Sequence, residues 1–519
     1  MKYLFIVFWL LYLLIRLKKS LHMLQQTTYN KGHEYLKWTI KNFISVFIKY
    51  DILQLSVFVL ALKYSNNWFY LINVIVYLFL IIYNLKQDKK ISIKKPLVYT
   101  SRAKRLILTS VVLYSFVIWL SIYFKMNIFL ILICYFQFYL LIIVNIINIP
   151  IEKLVYLSYK NKALKKLKDM PNLKVIGITG SYGKTSCKNI LSEILKIKYN
   201  TLPTPENYNT PNGLLLSINN YLGKFDEVFI AEMGARSKGE IKELCDLVHP
   251  EYGILTKIGT AHLETFKTEE VIQKTKFELI ESLPRSGIGI MNADDTKQMN
   301  YNFKSEAKII TIGINNKSAD ILAEDISSKG GITTFTLKIK GEKEKHLFET
   351  KLLGKANIYN ILSAIALGLN FGITIPELVR AVKRVKPVPH RLELKQMVGF
   401  YLIDDAYNSN PEGAKMALEV LSSMPGKKII ITPGMIELGS VQDKENEIFG
   451  EEIAKVCDEV ILIGKKQTLS IRKGLQNKKF DDRHIYNLDS INDAFSMLLK
   501  LIDKETYVLI ENDLPDSYN

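Results

Sequence analysis

The chain has 519 residues, which is too long for one domain and favours about three. Its net charge of +18 could indicate a nucleic-acid partner, but much of the basic excess lies beside apolar segments, so membrane topology explains it better and we expect no nucleic acid. The four cysteines (Cys134, Cys187, Cys245 and Cys457) show no paired spacing, which favours neither a zinc site nor a disulfide framework and fits a cytoplasmic soluble part.

The first 150 residues are rich in Leu, Ile, Phe, Tyr and Val, and several of their segments approach the length that spans a bilayer. Aromatic residues at the segment ends favour membrane helices over the alternative of buried core helices. The first segment could also be the apolar core of a signal peptide, although no small-residue cleavage site follows it. The five predicted membrane helices are Tyr3–Ile15, Ile52–Leu62 with its flanks, Trp68–Leu85, Leu106–Phe124 and Ile128–Ile149.

The distribution of Lys and Arg predicts the orientation of these helices. The segments 16–49, 86–105 and 153–168 are basic, whereas the other turns carry little charge. Five helices with the N-terminus outside would place every basic segment in the cytoplasm, together with the C-terminal part of the chain. We therefore predict a multi-pass cell-membrane protein with a transmembrane region over residues 1–150 and a basic amphipathic linker over residues 151–172.

After the linker, short β-rich runs alternate with helical stretches, which is typical of a mostly parallel sheet with crossover helices. Residues 321–352, with Gly330 and Gly331 in their middle, are predicted to be an antiparallel insertion, and the helical run 358–369 closes a central α/β domain over residues 173–385. The predicted strands are Val175–Thr179, Val228–Glu232, Ile254–Ile258, Ile288–Asn292 and Ile309–Ile312.

The pattern restarts near Pro387 and Pro389 and predicts a second, smaller α/β domain over residues 386–519. Its predicted strands are Tyr401–Asp404, Lys428–Thr432, Val460–Gly464 and Tyr507–Ile510. The predicted fold is therefore multidomain, with an N-terminal α-helical transmembrane bundle, a P-loop ATPase-like central α/β domain and a Rossmann-like α/β C-terminal domain.

The stretch from Val175 to Ser186 is the strongest motif, because an apolar strand breaks into glycines and meets a helix-compatible segment. Glycines would let backbone N–H groups face phosphate oxygens, Lys184 would supply a point charge and Thr185 a hydroxyl for Mg²⁺. Ile178 departs from strict Walker A spacing, and a glycine-rich turn with a surface lysine is the alternative. The predicted nucleotide contacts are Gly180, Ser181, Gly183, Lys184, Thr185 and Ser186.

Other candidates follow predicted strands or lie on a predicted helix. Glu232 ends a strand and could hold the Mg²⁺ that bridges ATP phosphates, although capping or surface roles are also open. His262 follows another strand, and it could be either a structural residue or a ligand of a metal ion or substrate. Lys276 would ordinarily lie on a solvated helix face, and Asn292 could form a turn or contact the nucleotide.

Together these stretches resemble the Mur ligase family, and within it the ligases that add D-alanyl-D-alanine to a UDP-MurNAc-tripeptide. The resemblance runs from about Lys174 to the C-terminus, and its motifs match in order and spacing. They are Gly177-Ile-Thr-Gly-Ser-Tyr-Gly-Lys-Thr185, Thr204-Pro-Glu-Asn-Tyr-Asn209, Gly259-Thr-Ala-His262, Lys274-Thr-Lys-Phe-Glu278, Gly354-Lys-Ala-Asn357, Pro389-His-Arg391 and Asp404-Asp-Ala-Tyr-Asn-Ser-Asn-Pro411.

The resemblance implies an ATP-dependent ligase that forms an acyl phosphate from a carboxylate and then an amide from an amine, in peptidoglycan synthesis. Lys184, His262 and Lys276 would be catalytic residues. Thr185 and Glu232 would hold one Mg²⁺, and His262, Glu232 and a carbamylated Lys276 the second. The further expected nucleotide contacts are Asn292, Asn357, Asn360, Arg391 and Asp405, and the expected substrate contacts are Asn207, Asn209, Asn408 and Asn410.

Two departures from the family pattern concern the acceptor. Membrane helices stand where the family usually has a domain that binds the UDP end of the substrate, which motivates a lipid-linked acceptor as an alternative. The last strand ends in Leu509-Ile-Glu-Asn-Asp-Leu-Pro515, where the D-Ala-D-Ala-adding ligases usually carry a lysine-glycine-serine pattern. A polyglutamate-type ligase is a further alternative. A nucleotide-binding transporter or receptor is another, but the predicted membrane helices contain few of the ionisable residues that mark transport pathways, which argues against it.

Overall fold

A computed structural model of the chain describes residues 1–27, 29, 32–48, 52–54, 67–88, 96–124, 126, 128–261, 263–407, 409–436, 438–503 and 505–512. The chain divides into two compact units at residues 158 and 159, and each unit is described by itself.

The first unit is helical, and aromatic and aliphatic side chains such as Phe5, Trp9 and Tyr77 form its core. Its described helices are α1 (Lys2–Gln26), α2 (Gly32–Lys41), α3 (Asn67–Asp88), α4 (Ser101–Tyr123), α5 (Ile128–Tyr135) and α6 (Gln137–Lys168), with a π-helical turn at Ile44–Ile48. The residues of α6 from 159 onward belong to the second unit.

Among the described residues, three helices are long and apolar enough to cross a membrane, namely α3, α4 and α6. They match the third, fourth and fifth predicted segments, although a turn at Phe136 divides the fifth between α5 and α6. The first predicted segment lies in α1, where Arg16, Lys18 and Lys19 end the apolar run early. Most of the second predicted segment lies outside the described residues.

Residues 151–168, predicted as a linker, continue helix α6 to Lys168. After Pro150 this stretch contains no glycine or proline and is rich in lysine and leucine, which are good helix formers.

A mixed sheet forms the middle domain, in the order β2-β3-β1-β4-β5-β6-β7-β8-β9. Pairing is parallel from β2 through β7, and β7, β8 and β9 are antiparallel, as predicted for the insertion at residues 321–352. The strands are β1 (Lys174–Thr179), β2 (Thr201–Pro203), β3 (Val228–Glu232), β4 (Tyr252–Leu255), β5 (Ile288–Asn292), β6 (Lys308–Gly313), β7 (Ile321–Lys329), β8 (Ile332–Ile339) and β9 (Lys345–Thr350).

Helices of the middle domain cover this sheet, and α7 and α13 contribute Ile190, Ile361 and Ile365 to a core shared with Ile176 and Ile178 of β1. The helices are α7 (Lys184–Leu195), α8 (Pro211–Asn220), α9 (Glu240–Val248), α10 (Leu263–Phe266), α11 (Glu269–Glu281), α12 (Thr296–Met299), α13 (Lys355–Asn370) and α14 (Ile375–Arg384).

Strand β4 ends at Leu255, three residues before the predicted end at Ile258. The chain leaves the sheet there because the carbonyl of Lys257 accepts the backbone N–H groups of Ser181 and Tyr182 at 2.8 and 3.3 Å. The residues after β4 therefore support the glycine-rich loop rather than extend the strand.

The C-terminal domain contains a second sheet in the order β10-β11-β15-β12-β13-β14, parallel except for the antiparallel edge strand β10. Both faces are covered, because Ile430 of β12 faces one core cluster while Ile429 and Ile431 face another. The strands are β10 (Glu393–Gln396), β11 (Tyr401–Asp405), β12 (Lys427–Thr432), β13 (Glu459–Ile463), β14 (Ile485–Leu488) and β15 (Thr506–Glu511), and the helices are α15 (Pro411–Ser422), α16 (Gln442–Val456), α17 (Leu469–Asn477) and α18 (Ile491–Leu501), with 3₁₀ turns at Gly439–Val441 and Asp482–His484.

Candidate active site

The glycine-rich loop between β1 and α7 is held by the chain that follows β4. Besides the backbone contacts with Lys257, the Ser181 hydroxyl donates to the Gly259 carbonyl at 3.0 Å. Gly183 lies at the start of α7 with φ +84°, and a Cβ atom there would come within 3.2 Å of the Asn360 side chain. Glycine at position 183 therefore meets both a backbone requirement and a space requirement, and α13 lies directly beside the loop.

Lys184, the first residue of α7, folds its ammonium back onto the loop. Its Nζ donates to the carbonyl oxygens of Gly180 at 2.8 Å and Ser181 at 3.2 Å. Burial lowers the pKa of Lys184, the carboxylate of Glu232 opposes that shift, and the positive charge of Arg391 adds to it. A phosphate oxygen could therefore replace the two carbonyl oxygens as the partner of this ammonium. The exchange would be favourable because the phosphate is negatively charged and the carbonyl groups are neutral.

Glu232, the last residue of β3, is 1% exposed, and its carboxylate is contacted by α7 and by the loop that follows β2. Its Oε1 accepts hydrogen bonds from the Thr185 hydroxyl and from the Asn209 amide, both at 3.1 Å. Its Oε2 lies 3.0 Å from Nζ of Lys188. The structure thus brings together Thr185 and Glu232, the pair predicted to share a metal ion.

Lys188 was not predicted as a site residue. It is 1% exposed, and besides Glu232 its Nζ donates to the carbonyl of Glu206, which ties the loop after β2 to α7. Its position one helical turn after Lys184 places it on the same side of α7, which is the one signal in the sequence that could have identified it.

Lys276 on α11 is 3% exposed and therefore does not lie on a solvated helix face. Burial and, next in importance, the nearby charge of Lys184 lower its pKa to about 7, although Glu240 and Glu278 oppose the shift. Its ammonium lies 5.6 Å from the ring centroid of Phe266 and makes no hydrogen bond or ion pair among the described residues. A buried lysine in this setting is largely neutral above pH 7 and is then a nucleophilic amine.

The three asparagines of the middle domain that are predicted to contact the nucleotide have different surroundings. Asn360 borders the glycine-rich loop at Gly183. Asn292 accepts the backbone N–H two residues later at 2.9 Å, and Asn357 donates to the Leu353 carbonyl at 2.8 Å. The nucleotide contacts of all three remain predictions.

Arg391 of the C-terminal domain lies in a constrained turn, because its neighbours His390 and Leu392 have φ values of +61° and +47°. Its guanidinium stacks 4.0 Å from the ring centroid of Tyr407, and the Leu392 N–H donates to Asp405 Oδ1 at 3.1 Å. Burial lowers the pKa of Arg391, while Asp405, Tyr407 and, more weakly, Glu232 oppose that shift. Because the charge of Glu232 acts on the pKa of Arg391, the arginine lies within electrostatic range of the middle-domain site.

The predicted substrate contacts are only partly described. Asn207 is exposed, and Asn209 contacts Glu232. Asn410 accepts the Gly413 N–H at 2.9 Å and thereby caps α15. Asn408 lies outside the described residues, as does His262, so their predicted roles are unchanged by the structure.

Comparison with protein families identifies both domains of the second unit. The Mur ligase middle domain matches residues 178–368, and the Mur ligase, glutamate ligase domain matches residues 390–511. These ranges coincide with the glycine-rich loop, the middle-domain sheet and the C-terminal sheet.

Relatives of this chain include the UDP-N-acetylmuramoyl-tripeptide–D-alanyl-D-alanine ligases of Bacillus subtilis (strain 168) and Escherichia coli (strain K12), which are 32% and 33% identical over 296 residues. That alignment covers 56% of this chain and 63% and 65% of the respective relatives, so the chain spans just under two thirds of their length. The MurF ligase of Thermotoga maritima in complex with ADP superposes with a TM-score of 0.62 and 27% identity, covering 69% of this chain and 80% of that protein.

Proposed function

This chain is a member of the Mur ligase family by its middle and C-terminal domains, and from that premise we propose that it is an ATP-dependent, ADP-forming ligase that joins a carboxylate to an amine. The carboxylate belongs to a muramoyl peptide, and the amine to D-alanyl-D-alanine or a similar amino acid or dipeptide. The amide product then enters peptidoglycan synthesis.

The observation that carries this proposal is the convergence of Lys184, Thr185 and Glu232 at one end of the middle-domain sheet. The N-terminus of α7 would offer N–H groups to phosphate oxygens, and Lys184 adds a cation that is held in place by the loop. The pKa of Lys276 is lowered to about 7, and the charge of Lys184 contributes to that shift.

In the proposed reaction, the substrate carboxylate attacks the γ-phosphorus of ATP and ADP leaves. The amine then attacks the acyl phosphate, and phosphate and a proton are released as the amide forms. Lys184 would neutralise negative charge as the phosphoryl group moves, which is the main task of residues in phosphoryl transfer. Arg391, contributed by the C-terminal domain, would add a second cation and help to exclude water from the acyl phosphate.

The donor atoms at Glu232 fit Mg²⁺, because a carboxylate and a hydroxyl are the hard oxygen ligands that this ion prefers. We assign Thr185 and Glu232 to one ion, and Glu232, His262 and a carbamylated Lys276 to a second. Bound Mg²⁺ would neutralise charge on the triphosphate and on the acyl phosphate. Lys188 would hold the Glu232 carboxylate in its orientation before any ion binds.

Carbamylation of Lys276 requires a neutral amine that attacks CO₂, giving a carbamate and one released proton. The pKa of about 7 supports this step, because a large fraction of the side chain is then neutral at physiological pH. The product is an anion, and a buried anion beside Lys184 is better compensated than a buried cation there.

We place the protein in the cell membrane as a multi-pass protein with its ligase domains in the cytoplasm. The apolar helices α3, α4 and α6 support this placement, and they motivate a lipid-linked muramoyl peptide as an alternative acceptor to a UDP-linked one. Purified protein in detergent or vesicles would be offered both forms at equal concentration. Turnover of the soluble form alone would contradict the lipid-linked acceptor.

The experiment that tests the ligase proposal measures ADP release by the full-length protein with muramoyl peptide, with D-alanyl-D-alanine, and with both, followed by the mass of the product. We expect ADP release to require both substrates and the product to carry one new amide. ATP hydrolysis that is indifferent to either substrate would contradict the proposal and favour a nucleotide-driven transporter or receptor.

A further inference from the structure

The C-terminal domain contains a pair of carboxyl groups that no predicted role includes as a pair. Asp405 ends β11 and Glu511 ends β15, and the two residues are directly opposite each other in the parallel register. Their side chains therefore leave the sheet on the same face. Glu511 is 1% exposed and Asp405 is partly buried, at the ends of two neighbouring strands.

Within the described part of the chain, only one of the two Glu511 oxygens receives a hydrogen bond. The Ser409 hydroxyl donates to Oε1 at 2.6 Å, whereas Oε2 is buried without a hydrogen-bond partner. A buried oxygen of an ionised carboxylate would need a donor, while an oxygen that carries a proton would itself be one. The neighbouring acceptor is the Asp405 carboxylate.

The electrostatics of the pair agree with this geometry. Burial raises the pKa of Glu511 well above its usual value, the negative charge of Asp405 raises it further, and the Ser409 hydroxyl opposes the shift. Burial also raises the pKa of Asp405 to about 6, against the influence of Arg391 and the Leu392 N–H. Arg391 is the cation that acts on both carboxyls, and Asp404, which is itself bound by Lys395 and His390, adds a negative charge near Asp405. Such a pair retains one proton near neutral pH.

We propose that Glu511 is a positioning residue whose protonated carboxyl donates a hydrogen bond to Asp405, so that the pair carries one negative charge and directs the Arg391 guanidinium at the nucleotide phosphates. Asp405 also accepts the N–H of Leu392, the residue after Arg391, and Tyr407 stacks on the guanidinium. Glu511 thus acts on Arg391 through Asp405. This inference rests on the proposed function, because it assigns Arg391 to ATP.

Two substitutions of nearly the same size as glutamate distinguish whether Glu511 acts as a hydrogen-bond donor or as a negative charge. Glu511→Gln keeps a donor toward Asp405 but cannot ionise, and Glu511→Met fills the same space without a donor. Glu459→Gln is the matched control, since Glu459 is a buried carboxylate of the same sheet that pairs with Lys427 and His484 instead. All three are prepared in the full-length protein, and their thermal midpoints are compared first.

We expect Glu511→Gln and Glu459→Gln to keep the KM for ATP within about twofold of the unchanged protein. Glu511→Met should raise this KM about tenfold or more, as expected for loss of a hydrogen bond to a charged group, with a smaller change in kcat and none in the KM for the amine. The KM for ATP of the unchanged protein should rise below about pH 6, where the pair takes up a second proton and loses its negative charge. It should rise again at alkaline pH, where the shared proton is lost, and Glu511→Gln should lack this second rise.

The infrared difference spectrum between the unchanged protein and Glu511→Gln at neutral pH gives a direct reading of the proton. We expect it to contain the band of a protonated carboxyl. If Glu511→Gln weakens ATP binding as much as Glu511→Met, the negative charge of Glu511 is what matters and the inference is wrong. A Glu511→Met variant with an unchanged KM for ATP would overturn it as well.

These outcomes are distinct from failure of the proposed function, which is judged on the unchanged protein with both substrates. If that protein forms no amide, calorimetric binding of Mg·ATP to the same variants still decides the role of Glu511. If Glu511→Met does not fold, the pH profile and infrared spectrum of Glu511→Gln decide it.

Discussion

The two sheets of the second unit end in regions of opposite charge. Among the described residues, the middle-domain region gathers lysines around a carboxylate, and the C-terminal region gathers carboxyl groups around an arginine. We call them the lysine region, formed by Lys184, Lys188, Lys276 and Glu232, and the carboxyl region, formed by Asp405, Glu511 and Arg391.

This difference indicates a division of work. The proposed triphosphate would be attracted to the lysine region, where cations and the N-terminus of a helix lie together. The acidic groups of the carboxyl region would repel phosphate, and in our proposal Glu511 and Asp405 serve to position Arg391, the group of this region that meets the phosphates. Substitutions in the lysine region should therefore cost far more activity than substitutions in the carboxyl region.

The largest loss is expected for Lys184→Met, which removes the cation nearest the predicted phosphates. The value of kcat/KM should fall about a thousandfold, because charge stabilisation of this kind accounts for a large part of phosphoryl-transfer catalysis. ADP release in the presence of both substrates measures it. Lys196→Met, at the other end of α7 and exposed, is the control and should stay within about twofold. A loss of less than tenfold at Lys184 would erase the contrast between the two regions.

Glu232→Gln should lower activity about a hundredfold and also destabilise the fold. The loss of stability follows because Lys188 is left as a buried cation without its partner, which typically costs about 3–5 kcal/mol. Thermal midpoints of Glu232→Gln and of Glu232→Gln/Lys188→Met distinguish the two effects. The double variant should recover stability but not activity, and a double variant as unstable as the single one would show that Lys188 does not depend on Glu232.

The lowered pKa of Lys276 predicts that kcat depends on pH. Because its pKa is lowered to about 7, the amine is neutral above that pH and protonated below it, so kcat at saturating ATP should be about tenfold lower at pH 6 than at its plateau. Removal of dissolved CO₂ should lower kcat, and added bicarbonate should restore it. Lys276→Met should lack both responses, whereas Lys274→Met, exposed on the same helix, should keep them. A profile that is flat through pH 7 and indifferent to CO₂ would rule out the carbamate.

The smallest effect is expected for Arg391→Lys in the carboxyl region. Lysine keeps the charge but loses the planar stacking on Tyr407, a contact worth about 1 kcal/mol, so the KM for ATP should rise a few-fold. Tyr407→Leu should give a similar increase, and the double variant should add little to either. A loss at Arg391 as large as that at Lys184 would mean that both regions bind the triphosphate directly.

Local patterns in the sequence were sufficient to predict the glycine-rich loop, Thr185 and Glu232, because each follows a strand whose apolar run is visible. They did not predict β2 or β10, since β2 has three residues and β10 reads Glu-Leu-Lys-Gln without alternation. Lys188 and Glu511 were missed for a different reason. Each has a partner far away in sequence. The pairing of parallel strands that places Asp405 opposite Glu511 cannot be predicted from the local sequence of either strand.

The most direct test of this account is an experimental structure of the full-length protein with Mg²⁺ and a non-hydrolysable ATP analogue. We expect a γ-phosphate oxygen at about 3 Å from Lys184 Nζ and Mg²⁺ bound to the Thr185 hydroxyl and the Glu232 carboxylate. A triphosphate bound away from α7, or Mg²⁺ without Glu232 among its ligands, would contradict the assignment of the lysine region as the site of ATP chemistry.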